Sequence, residues 1–124
     1  MNKNVKELST LNWDVDVRGA EQPVLVDFWA PWCAPCRALM PTVHQVAADF
    51  NGRVGVGTLN VDDHSEVAER YNVKSIPALL LFHRGELVDR HVGGLPKDDL
   101  ARLLSKHLTA AEADVREVGA GEDQ

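Results

Sequence analysis

Hydrophobic positions along this chain fall into blocks of different period. Pro23 to Ala30 is a nearly continuous apolar run of β-formers, interrupted only by Asp27. A run with no polar face predicts a central strand buried on both sides. Past the two cysteines, Leu39, Val43, Val46 and Phe50 recur at the spacing of one helix face. Asn51-Gly52 supplies the stop, and Pro41 within the helix removes a backbone donor and predicts a kink. Val54 to Val61 predicts a second strand, with Gly55 and Gly57 letting neighbours approach closely. Ser65 to Tyr71 reads as a short helix. Ala78 to Phe82 is a third buried strand, and Arg84-Gly85 turns it into a hairpin with Leu87–Val92. Gly93-Gly94 breaks that strand. Pro96 then opens a last helix with Leu100, Leu103, Leu104 and Leu108 on one face. Ahead of all these, Asn12 is placed to cap a short helix from Trp13 to Gly19, with Asp14 and Asp16 in its first turn. Trp13 reads as the core residue of that helix.

The order strand, helix, strand, helix, strand, strand, helix predicts an α/β fold. Helices between strands imply parallel crossovers and a sheet covered on both faces, and the late hairpin adds antiparallel strands, so the sheet is mixed. A chain of 124 residues suits one domain with one core. Residues 109–124 hold five acids (Glu112, Asp114, Glu117, Glu122, Asp123) against Arg116, so four of the six excess negative charges lie there. They read as an acidic extension, frayed or continuing the last helix, on a domain of residues 1–108. No basic patch points to nucleic acid. No apolar run approaches the roughly 20 residues that span a bilayer. Met1 to Trp13 has no apolar stretch of the kind a secretory signal needs, so the expectation is a cytoplasmic chain. With no extra apolar helix face, a monomer is expected. His83, His91 and His107 are expected on turns or outer faces, in contact with solvent.

The candidate chemistry starts at Trp32-Cys33-Ala34-Pro35-Cys36, between the buried strand and the helix. A disulfide here would close almost no loop and add little stability, so a structural bridge is disfavoured. In a reducing compartment such a pair is catalytic or metal-binding. A zinc site needs about four ligands, and this chain has no second cysteine pair and only scattered histidines. Haem attachment would need His where Arg37 stands. Redox work remains, with no metal. A cysteine at a helix N-terminus sees unpaired N–H groups and the positive end of the dipole, which favour the thiolate. Cys33 is therefore the nucleophile. Cys36, one turn on, is close enough to attack a mixed disulfide. Pro35 limits the backbone between them.

Asp27 is an acid among Val24, Leu25, Val26, Phe28 and Trp29. Burial of an unpaired carboxylate raises its pKa, which suits it to take the proton of Cys36, directly or through a water. The alternative is an acid facing a wet pocket with no role. In Ser75-Ile76-Pro77-Ala78 a proline enters a buried strand, which either a cis bond or an ordinary strand-start proline would explain. Trp29 reads as core with a part in shaping the site.

Taken together these features resemble the thioredoxin family over roughly Asn12 to Leu108. The resemblance rests on Val26-Asp-Phe-Trp-Ala-Pro-Trp-Cys33, Pro35-Cys36, Pro41, Leu59-Asn-Val-Asp62, Ile76-Pro77, Leu79-Leu-Leu-Phe82, Gly85 and Gly93. It implies a thioredoxin fold, and a Cys33 that attacks protein disulfides while Cys36 resolves the product. It implies a cis bond before Pro77, a backbone contact from Ile76 to the bound peptide, and a docking surface of Trp32, Ile76 and Gly93 beside Pro77. It also implies recharging by a flavin-containing thioredoxin reductase using NADPH, so that this chain needs no cofactor of its own. Members of this family are themselves familiar cases of a lowered thiol pKa. The chain departs from the common pattern at Ala34, where glycine is usual, and at Thr58, where many members carry lysine. The lost positive charge predicts a higher pKa for Asp27 than in lysine-bearing relatives. The same chemistry run backwards would serve an oxidase or isomerase. A binding module on this fold would keep its role without either cysteine.

Overall fold

Five strands, β1 Val5–Leu8, β2 Val24–Trp29, β3 Gly55–Asn60, β4 Ala78–His83 and β5 Glu86–Val92, make one sheet in the order β1-β3-β2-β4-β5. Three helices, α1 Ala34–Asp49, α2 Ser65–Arg70 and α3 Lys97–Lys106, and a π-helical turn at Asp14–Arg18 complete the fold. These come from a computed structural model that describes residues 4–108. The acidic extension expected at 109–124 lies outside the described residues.

β2 runs parallel to β3, and β3 parallel to β1. β4 is antiparallel to both β2 and β5. The sheet is mixed, as the hairpin predicts, and this is the thioredoxin fold. Strand alternation splits the core in two. Val24, Val26, Phe28, Leu59, Leu80 and Phe82 face the π turn and α2. Leu25, Val56, Leu79 and Leu81 face α1 and α3, meeting Leu39, Val43, Val46, Leu100 and Leu104. Burying such side chains contributes about 1.5–3 kcal/mol each. Trp13 is fully buried, its indole N–H donates to the Tyr71 hydroxyl at 3.2 Å, and its ring meets Phe82 edge-on. Among the described residues no helix is long and apolar enough to cross a membrane.

Several local expectations change. β1 is absent from the hydrophobic pattern because Val-Lys-Glu-Leu is short and half charged. It exists by pairing with β3, and Gly57 permits that pairing. A Cβ on Gly57 would stand 2.6 Å from Leu8 Cδ1 and 3.0 Å from the Lys6 carbonyl, whereas one on Gly55 would meet only ordinary contacts. Asn12 caps no helix. Its Oδ1 accepts from the Ser9 N–H and its Nδ2 donates to the Glu7 carbonyl, tying down the end of β1. The π turn that follows has no side-chain cap, and the Gly19 N–H closes it on the Asp14 carbonyl at 2.8 Å. Pro41 lies inside α1, as expected, and its side chain is exposed. Pro96 occupies the N-cap of α3, one position earlier than expected. Arg84 and Gly85 both have positive φ, at 54° and 85°, as a two-residue hairpin turn of the I′ kind requires.

The histidines are less uniform than expected. His107 is half-buried, and its Nε2 lies 2.8 Å from Asp89 Oδ2. Lys106 Nζ is 3.5 Å from the same oxygen. His83 ends β4 with its Nε2 buried and no partner among the described residues. At Asp89 partial burial alone would raise the pKa, but the hydrogen bond with His107, the Arg90 N–H and the charges of Lys106 and His107 outweigh it and lower the pKa below 3.8. A lowered carboxyl contributes stability above its unfolded pKa and loses it as the pH falls through the folded one.

Urea unfolding should therefore show Asp89→Asn less stable than the wild type by about 1 kcal/mol at pH 7. The difference should shrink once the pH drops below the ordinary 3.8. An equal difference at both pH values would remove the clasp between α3 and β5 from the account. Gly57→Ala should cost about 1–3 kcal/mol by crowding Leu8, measured the same way. An unchanged urea midpoint would mean that β1 moves away freely.

Candidate active site

β2 ends at Trp29, and the chain turns over Ala30, Pro31 and Trp32 into Cys33. The Cys33 N–H closes that turn on the Ala30 carbonyl at 3.1 Å. Cys33 is the N-cap of α1, and its Sγ accepts from the Cys36 N–H at 3.2 Å. The sulfur that the sequence places among orphan helix donors is thus bonded to one of them, an arrangement that favours negative charge there in the reduced form. Cys33 and Cys36 form a disulfide, with Cα atoms 5.2 Å apart. Cys36 is fully buried, while Cys33 keeps a small opening to solvent. Ala34 and Pro35, the first residues of α1, are exposed beside it.

Around the pair lie Ala30, Trp29, Val61 and Ile76. The Ile76–Pro77 bond is cis, and the Ile76 carbonyl oxygen is 4.0 Å from Cys33 Sγ. Gly93 joins this loop through its N–H, which donates to the Pro77 carbonyl at 2.8 Å. Its φ of +99° suits glycine, and a Cβ there would meet nothing within 4 Å. Trp32 is 68% exposed despite its size. Its indole N–H donates to both oxygens of Asp62, at 3.0 and 3.3 Å. Ile76 thus lies beside Cys33, Gly93 is tied to Pro77, and Trp32 immediately precedes Cys33, so three separate stretches of chain supply these residues.

Asp27 lies deeper. It pairs across the sheet with Thr58 on β3 and Leu79 on β4, and it points to the same face as Leu25, the face that α1 covers. Its side chain is fully buried, and neither carboxyl oxygen has a hydrogen-bond partner among the described residues. Burial lifts its pKa from 3.8 to about 7. The anomaly seen in the sequence is therefore real, and desolvation is its cause.

Two contacts escape sequence reading. Asp62 holds Trp32 from 30 residues away, and the Arg37 guanidinium donates to the Pro31 carbonyl at 2.7 Å, across the active-site turn. Asp62 sits inside a stretch that carries the family resemblance, but nothing local marks it as a partner of Trp32. A lone exposed arginine after the second cysteine carries no signal of a carbonyl six positions back.

Comparison with known proteins agrees with this geometry. The family model described as Thioredoxin matches residues 4–106. A thioredoxin of Synechocystis sp. is 44% identical over 102 residues, covering 82% of this chain and 95% of that protein. Thioredoxin 1 of Nostoc sp. is 45% identical over 93 residues, covering 75% of this chain and 87% of that protein. A chloroplastic M-type thioredoxin of Zea mays is 42% identical over 97 residues, covering 78% of this chain and 58% of that protein. With a family model spanning nearly every described residue and two cyanobacterial relatives covered over 87% and 95% of their length, this chain belongs to the thioredoxin family.

Proposed function

We propose that this chain is a protein-disulfide reductase whose working parts are Cys33, Cys36 and Asp27. The observation that carries the reading is the Cys33–Cys36 bridge at the N-terminus of α1, with the first sulfur at the N-cap and the second one turn inside. In the reduced protein the Cys33 thiolate attacks one sulfur of a substrate disulfide, and the other sulfur leaves as a thiolate. Cys36 loses its proton and attacks Cys33 Sγ, which releases the second substrate thiol and forms the bridge described above. The substrate gains two electrons and the cysteine pair loses two.

Asp27 is the group we assign to receive the Cys36 proton. Its position under α1 and a pKa of about 7 support that role, since such a carboxyl takes and returns protons near neutral pH. Trp32, Ile76, Pro77 and Gly93 form the docking surface for substrate in this reading. Trp29, Ala34 and Pro35 shape the approach to the sulfurs. The partners are proteins bearing disulfides, with a flavin-containing thioredoxin reductase drawing on NADPH as electron donor. We place the chain in the cytoplasm as a monomer, with its domain at residues 1–108. A reducing compartment suits a pair of cysteines built for exchange. Several relatives are named as chloroplastic proteins, so fractionation of the native host is the direct check on this point.

Insulin reduction with dithiothreitol as electron source tests the mechanism. Wild type should accelerate precipitation, and Cys33→Ser should abolish the acceleration. Cys36→Ser should accumulate a mixed disulfide visible by mass spectrometry. Full turnover by Cys36→Ser would sink the two-thiol scheme. Asp27→Asn should slow release from the mixed disulfide on the order of tenfold at pH 7.

The same carboxyl makes a stability prediction. Its raised pKa means that the folded state holds a proton the unfolded state has lost, so stability falls as the pH rises from 3.8 to about 7. The loss amounts to roughly 4 kcal/mol at completion. Unfolding of oxidised wild type and Asp27→Ala from pH 4 to 8 reads it directly. The variant should lose the slope across that window, and an unchanged slope would assign it to another group.

A further inference from the structure

The loop that carries Ile76 and Pro77 starts where α2 ends. Tyr71 caps that helix, Asn72 turns the chain with a φ of 59°, and β4 begins at Ala78. The Asn72 and Val73 N–H groups donate back to the Glu69 and Ala68 carbonyls, at 3.1 and 2.9 Å. Among the described residues Lys74 and Ser75 make no hydrogen bond. The far end of the loop is held by Gly93, whose N–H donates to the Pro77 carbonyl. The carbonyls of Tyr71 and Asn72 lie past the last turn of α2, where a helix leaves acceptors without partners. The Arg90 guanidinium takes both, with Nη2 2.5 Å from the Tyr71 oxygen and Nη1 3.4 Å from the Asn72 oxygen.

Arg90 reaches this loop because β5 is irregular. Phe82 pairs with Leu87, yet Leu81 pairs with Asp89, so Val88 is an extra residue in the strand. Without it Arg90 would stand opposite Leu79, on the face of α1 and α3. With it Arg90 pairs with Leu80, on the face that the π turn and α2 cover. Asp89 pairs with Leu81 and turns the other way, to His107 at the end of α3. A bulge is a common device for re-aiming a side chain in this manner. We propose that Arg90 is a positioning residue for substrate docking: it fixes the first two carbonyls of the loop, and so sets the line along which Ile76 meets a substrate peptide. The inference rests on the docking role given to Ile76 above. β5 then pins the loop at both ends, through Arg90 at its start and, just past the strand, Gly93 at its finish. The side chains of Tyr71, Val73 and Ile76 pack against the core and set how deep the loop lies. The guanidinium holds the backbone between them. Arginine suits the task because its planar fork reaches two carbonyls at once, whereas an ammonium is a point donor.

The test is oxidation of the reduced full-length chain by insulin and by hydroxyethyl disulfide, a substrate too small to lie along the loop, each over a range of concentrations. Arg90→Met keeps the apolar stem and removes every donor. Its half-saturating insulin concentration should rise about fivefold, the loss of one modest hydrogen-bonded contact. The limiting rate with insulin and the rate with hydroxyethyl disulfide should not change. The rise should persist in about 0.5 M salt, which screens any direct pull of the guanidinium on the substrate. Wild-type saturation by Arg90→Met, an equal slowing with both disulfides, or a gap that closes in salt would each overturn the role. Ile76→Ala separates that role from the docking reading. If Ile76→Ala also saturates like wild type, the docking surface itself is wrong. If Ile76→Ala is weak while Arg90→Met is not, only the role of Arg90 falls.

Discussion

Strand β2 is hydrogen-bonded to β3 on one edge and to β4 on the other, and each of its faces is covered by one half of the core. Its side chains from Val24 to Phe28 are buried without exception. A shift of one residue would exchange the two faces and leave Asp27 against Trp13 and Phe82. The register is therefore strongly held, and the redox end of the molecule inherits it. The chain leaves β2 straight into the turn that ends on Cys33. The pairing of Phe28 with Ala78 sets the start of β4, and with it the Ile76–Pro77 loop, beside the same turn. Gly93 then closes onto Pro77 from the end of β5. Three segments distant in sequence meet at the sulfur because one strand fixes them all.

The same burial has an electrostatic side. A carboxyl on the α1 face of β2 weakens the fold at neutral pH, because its ionised form is poorly solvated there. At the other end of the same layer, the α1 N-terminus does the opposite for Cys33 by offering N–H groups to its sulfur. One environment suppresses charge and its neighbour favours it, within a single helix-on-sheet layer. Thiol exchange needs a thiolate at the outer cysteine and a proton acceptor for the inner one, and in the scheme proposed above this layer supplies both from opposed surroundings.

Much of this was legible in the chain. Continuous apolar runs marked β2 and β4, and helical spacing marked α1 and α3, because those elements are held by their own side chains. The pair Cys33 and Cys36 could be placed at a helix start from the strand before it and the periodic helix after it. β1 could not be found that way, since its four residues are stabilised by β3 and by the missing side chain of Gly57. Asn12 matched the pattern of a helix cap, yet its amide is occupied by Ser9 and Glu7. The proline at 77 left two readings that local sequence does not separate, and the cis bond follows the family resemblance. The contact of Asp62 with Trp32 is a product of topology, since no local pattern joins residues 30 positions apart.

The Cys33–Cys36 bridge lies entirely within the first turn of α1 and spans three positions of chain. It ties no strand to a helix and no layer to another. Opening or closing it exerts no lever on the sheet, which is held by β2 whatever the sulfurs do. A bridge this local leaves the two electrons to be carried at one helix end rather than across the fold. On the docking surface proposed above, a partner that must tell the loaded form from the spent one reads the small patch around Trp32, Cys33 and Gly93.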